Sequence, residues 1–119
     1  MCINHQLVNF DSNKAEAFAE RLVDTLNQGG VCVMISIGHR TGLFDVMDGQ
    51  GPLTSEQLAQ KAGLNERYVR EWLNAMVVSQ VVHYDPQQKS YTLPGEHAAY
   101  LTRRSTDGNI AVFAQYIPI

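Results

Sequence analysis

Between Ser55 and Asn74 the chain reads Ser-Glu-Gln-Leu-Ala-Gln-Lys-Ala-Gly-Leu-Asn-Glu-Arg-Tyr-Val-Arg-Glu-Trp-Leu-Asn. Ala59 is small enough for a second helix to cross close to the first. Gly63 follows four residues later, where a tight turn demands positive φ. Val69 and Trp72 then recur at helical spacing to fill the crossing. Together these residues make a helix-turn-helix. They leave one question open: whether the second helix reads DNA or only packs.

The charges argue against DNA. The candidate recognition helix, residues 66–79, carries Arg67 and Arg70 but also Glu66 and Glu71, which cancel them. The whole chain has 9 Lys and Arg against 12 Asp and Glu, a net charge of −3. Duplex binders draw most of their non-specific affinity from several Lys or Arg contacts to phosphates. The alternative, a transcription regulator, would have to use a local patch of Lys61, Arg67, Arg70 and Lys89.

At 119 residues the chain is expected to form one domain over its whole length, with 1–11 loosely ordered. Such a chain buries roughly two-thirds of its unfolded surface, enough for a core. Cys2 and Cys32 suggest neither a disulfide framework nor a metal cluster. No signal-peptide pattern and no run of about 18 apolar residues is present, so the expected compartment is the cytoplasm, with no membrane partner.

Residues 12–28 show an amphipathic pattern: Ala15, Phe18, Leu22 and Leu26 share one face, with Ala19 and Val23 beside them. Glu16, Glu20 and Asp24 form a solvated stripe. Asp11 or Ser12 caps the start, and Gly29-Gly30 is expected to end the helix. Residues 31–48 are β-rich in propensity, yet Ile37, Leu43, Phe44 and Met47 keep one side apolar and favour helix. A helix apolar around its circumference must be covered on several sides, which hints at a partner subunit or a second domain. Gly38 and Gly42 mark a kink or a close approach of backbones.

Asp48-Gly49-Gln50-Gly51-Pro52 is a loop. Thr54 and Gln57 form a capping box, and Asn65 caps the next helix. Residues 81–84 and 90–93 are expected to be strands joined by a hairpin loop over 85–89. Residues 95–102 and 107–117 suggest two more helices, the second through Ile110, Val112, Phe113, Tyr116 and Ile117. The expected architecture is mainly α: a winged helix-turn-helix with a small two-stranded antiparallel wing and extra N- and C-terminal helices. The chain stays apolar to Ile119, which looks like a cut from something longer or a surface that needs a partner.

Three segments carry a family pattern: Ile37-Gly-His-Arg-Thr-Gly-Leu-Phe-Asp45, the run Thr54 to Leu73, and Tyr91-Thr-Leu-Pro-Gly-Glu-His-Ala-Ala-Tyr-Leu101. Over roughly residues 15–119 the chain resembles the N-terminal winged-helix domain of class I S-adenosylmethionine-dependent methyltransferases that act on small molecules. The resemblance implies a dimerisation and substrate-capping module, without DNA binding. S-adenosylmethionine would sit in a following Rossmann-like domain, which is absent here. That cofactor needs a strand, a glycine turn and a helix N-terminus. Gly49-Gln50-Gly51 follows a helix and precedes Pro52, so the chain itself is expected to be non-catalytic and cofactor-free.

The four histidines, His5, His39, His83 and His97, show no metal-ligand spacing. His39 and Arg40 interrupt an apolar helix. They could face an acceptor pocket or a partner's carboxylate; the plainer and favoured placement is the helix's one exposed strip. Phe113 and Tyr116 line a pocket in a complete enzyme or simply pack on the domain. His83 is expected to face solvent, and Trp72, Tyr68 and the Tyr84–Tyr91 pair to pack in the core or across strands. The unburied apolar run predicts a homodimer through Val31, Val33, Ile35 and Ile117.

Overall fold

A computed structural model describes residues 9–105 and 108–116 of the protein. Cys2, His5 and Ile117 lie outside the described residues, as does the side chain of Tyr116. Two compact units meet at a boundary between Gly30 and Val31, inside the first helix, α1 (Ser12–Thr41).

In the N-terminal unit, Asp11 caps α1. Its carboxylate accepts from the backbone N–H of Asn13 at 2.9 Å and of Lys14 at 3.3 Å. The amphipathic pattern is real, but its apolar side stays exposed at Phe18, Leu22, Val23 and Leu26. Gly29 and Gly30 do not end the helix. Neither adopts the left-handed conformation of a helix stop. In α-helical geometry each costs only about 1 kcal/mol against alanine, which weakens a helix without breaking it.

The true stop is Gly42, at φ 79°. It separates α1 from a short helix, α2 (Leu43–Met47), so the expected 31–48 helix is kinked there. Gly38 serves a close approach, of aromatic rings rather than backbones: a Cβ on it would meet Phe44 and Trp72 at 2.5 Å.

The helix-turn-helix forms as its residues dictate. α3 (Ser55–Ala62) begins at Thr54, whose side chain accepts from the N–H of Gln57 while the Gln57 side chain accepts from the N–H of Thr54. Gly63 turns the chain at φ 69°. Asn65 then caps α4 (Glu66–Val78), its side chain accepting from the N–H groups of Arg67 and Tyr68. Ser55 Oγ donates to Glu66 Oε2 at 2.5 Å and ties the two helix starts together.

Leu58, Val69, Trp72, Leu73 and Met76 pack with Phe44 into one core. The Trp72 indole N–H donates to the Met34 carbonyl at 2.8 Å, and its ring meets Phe44 edge-on at 5.1 Å. Tyr68 does not join them; it is 69% exposed. Val69, Trp72, Leu73 and Met76 occupy the inward face of α4, and Tyr68, one turn before Trp72, lies at the edge of that face and opens to solvent.

The wing is shorter than expected: β1 (His83–Asp85) pairs antiparallel with β2 (Ser90–Thr92). Val81 and Val82 are withheld from the ladder because their N–H groups close the end of α4 on the Met76 carbonyl. Tyr84 lies directly opposite Tyr91, with ring centroids 4.8 Å apart. Leu53 adds a bridge on the other edge of β2, exchanging two backbone hydrogen bonds with Tyr91. α5 (Gly95–Leu101) follows, as expected. The described part of the last predicted helix is a 3-10 helix, Ala111–Tyr116, in keeping with the short pieces in which that geometry occurs.

Candidate functional site

After α5 the chain turns back on itself. Thr102 is buried and donates from Oγ1 to the Ala98 carbonyl at 2.9 Å. Gly108 takes φ 103°, open to glycine alone without strain, and the Ile110 N–H then donates to the Tyr100 carbonyl at 2.7 Å. This return lays the 3-10 helix alongside α5 and the second half of α1. An open apolar groove of about 460 Å³ lies between them. Its walls include Cys32 and Ile35 of α1, Tyr100 and Leu101 of α5, and Ile110 and Phe113.

Beside the groove a polar knot fastens the returning segment. Arg103 is its centre. Its guanidinium donates to the Asp45 carboxylate and, at 2.6 Å, to the His39 carbonyl, and its backbone N–H reaches the same carboxylate at 2.8 Å. Arg103 Nη2 also lies 3.3 Å from His39 Nε2, and Asn109 Nδ2 lies 3.5 Å from His39 Nδ1. Arg104 pairs with Asp48 at 3.0 Å. His39 is therefore not on an exposed strip; only 7% of it is exposed. Burial first, and the Arg103 guanidinium second, hold its pKa below the ordinary histidine value; Asp45 opposes them and Arg40 adds a smaller downward push.

The structure sorts the sequence candidates. Phe113 and Ile35, assigned to a pocket and to an interface respectively, share the groove. His39 belongs to the knot. Arg40 is exposed and donates to the Gln115 carbonyl at 3.4 Å. Val31 and Val33 are half-buried. Lys61, Arg67, Arg70 and Lys89 are all exposed, but Arg67 pairs with Glu71 at 3.4 Å and Arg70 with Glu66 at 3.6 Å. Among the described residues no group of three or more His, Cys, Asp or Glu could hold a metal ion. Gly49 and Gly51 both take left-handed φ in a loop that follows α2, with no strand before it among the described residues. Asp45, Arg103 and Asn109 were not singled out from sequence. The one available signal was a carboxylate three residues after the kink glycine, too common a pattern to act on.

The pattern of the Rv2258c-like winged HTH domain matches residues 29–103. The chain belongs to that family. Its fold is similar to part of several solved methyltransferase structures. PigF with SAH superposes at a TM-score of 0.71 with 15% identity, over 82% of this chain and 28% of that one. Human N-acetylserotonin methyltransferase in complex with SAM gives 0.68 and 20%, over 82% and 29%. The mitomycin 7-O-methyltransferase MmcR gives 0.66 and 22%, over 87% and 30%. At these identities the likeness is one of fold, and the chain spans under a third of each of those chains. A comparison with curated proteins finds no match. Among the described residues no helix is long and apolar enough to cross a membrane.

Proposed function

We propose that this winged HTH domain is the non-catalytic part of a small-molecule S-adenosylmethionine-dependent methyltransferase, pairing two copies and capping the methyl acceptor. The observation that carries the proposal is the apolar groove between α1, α5 and the 3-10 helix, on a fold that methyltransferases share. Its volume suits a small organic molecule, and its walls offer burial rather than chemistry. S-adenosylmethionine would be held by a separate Rossmann-like domain, and the short span of the matched chains supports a fragment of such an enzyme. Phe113 and Tyr116 are then acceptor-side residues. His39 and Arg40 support the pocket from its polar flank.

Dimerisation has independent physical support. Residues 31–37 remain only half-covered over Val31, Val33 and Ile35, and Ile37 is exposed. Contiguous apolar surface of more than a few hundred Å² is uncommon on soluble monomers, and a two-fold contact hides the same patch on both copies. Arg67 and Arg70, engaged by their own helix's glutamates, favour this role over DNA binding. Light scattering at tens of micromolar tests it. The wild-type chain is expected to run as a dimer and Val33→Asp as a folded monomer. A monomeric wild type rejects the pairing role.

A further inference from the structure

We propose that His39 is a proton-operated clasp: neutral, it pins Arg103 and the Gly108–Ala111 segment against α1 and α2; protonated, it expels Arg103 and frees that segment beside the groove.

The donors around the ring force its state. Arg103 has no acceptor, so at 3.3 Å its Nη2 can only donate, and His39 Nε2 must accept. A neutral imidazole has one acceptor nitrogen and one N–H. Nδ1 therefore carries the proton and donates. Its neighbour at 3.5 Å is the Asn109 amide, which must present oxygen there rather than nitrogen. The same assignment gives a partner to Asn109 Oδ1, otherwise a buried acceptor with none. One tautomer and one amide orientation satisfy both contacts.

Protonation undoes this arrangement. His39⁺ has two donors and no acceptor, so the contact with Arg103 becomes donor against donor and cation against cation. The charged groups facing the ring from each element are Arg40 on α1, Asp45 on α2 and Arg103 on the returning segment. Asp45 is the only anion among them, and its carboxylate is already taken by the Arg103 guanidinium and backbone N–H. The cost of the added charge falls on the contacts that can move, those of Arg103 and of the Gly108–Ala111 segment. That segment supplies Ile110 and Ala111 to the groove, so its release changes the groove's shape whatever the groove holds.

Long-range nitrogen–proton NMR on the ¹⁵N-labelled chain reads tautomer and titration together. Neutral His39 is expected with the proton on Nδ1 and a midpoint below that of the unfolded chain. Across that titration the hydrogen-exchange protection of the Ile110 amide, which donates to Tyr100, is expected to fall several-fold. His39→Gln, whose carbonyl can still accept from Arg103, should abolish the pH response of that amide. Asn109→Asp, which sets a carboxylate beside Nδ1–H, should raise the midpoint even if the first variant does not fold. A proton on Nε2, a midpoint at the unfolded value, a persistent pH response in His39→Gln, or a midpoint unmoved by Asn109→Asp would each overturn the clasp.

Discussion

A methyl group on Gly38 would stand 2.5 Å from Cζ2 of Trp72, closer than a carbon atom can approach an aromatic ring. Glycine at this point in α1 is the condition for the indole to lie against the helix and donate to Met34.

Two substitutions of the same kind should therefore have opposite signs. Gly38→Ala forces buried rings apart, and overpacking of this type costs roughly 1–3 kcal/mol. Gly29→Ala or Gly30→Ala meets nothing within 4 Å and is helical, so each should stabilise by up to about 1 kcal/mol. Urea unfolding followed by circular dichroism compares the three. Equal effects would show that the contact at Gly38 is loose.

Stability should fall as pH drops from neutral into the mildly acidic range. The folded-state pKa of His39 is lowered, so between it and the unfolded value the unfolded chain binds the proton and the folded chain does not. The contribution is complete above the ordinary histidine value near 6.5 and is lost as pH falls from there through the folded pKa. Denaturant midpoints of wild type and His39→Gln, measured across that interval, should change their separation, the wild type alone losing stability toward the acidic end. Parallel curves would assign the acid sensitivity elsewhere.

Binding to duplex DNA should be weak and independent of sequence. Arg67 and Arg70 have carboxylates four residues away, and exposed pairs of this spacing are worth only about 0.3–0.5 kcal/mol to stability. Arg67→Ala and Arg70→Ala should leave both the fold and the residual DNA affinity nearly unchanged. A discrete footprint at physiological salt that vanishes in either variant would make the chain a DNA reader.

Calorimetric titration of the chain with S-adenosylmethionine should give no saturable heat at micromolar concentrations. The glycines of the Gly49-Gln50-Gly51 loop follow a helix, so no strand aims a helix N-terminus at a ligand there. One-to-one binding would place a cofactor site within these 119 residues.

The helix-turn-helix was legible because its signals are local. The Thr54–Gln57 box, Gly63 and the Asn65 cap act within a few residues, and each one forms. Propensity was less decisive at Gly29-Gly30, where a stop signal competed with the helical residues on both sides and lost. The burial of His39 was beyond local reading. Its ring partners Arg103 and Asn109 are 64 and 70 residues away, and no periodicity encodes such a meeting. Tyr68 failed for a different cause: it lies one turn before the buried Trp72, at the edge of the inward face, where helical spacing does not say on which side of the boundary a residue falls. The groove was half visible, since Ile35 and Phe113 were singled out for separate roles, but their meeting depends on the reversal at Gly108.

The single tryptophan sits where three helices meet, bonded to Met34 of α1, edge-on to Phe44 of α2 and rooted in α4. The molecule thus carries its own optical gauge. Emission from one indole, with no second fluorophore of its kind to average against, will report whether those helices stay seated when the chain is heated, acidified or given a ligand.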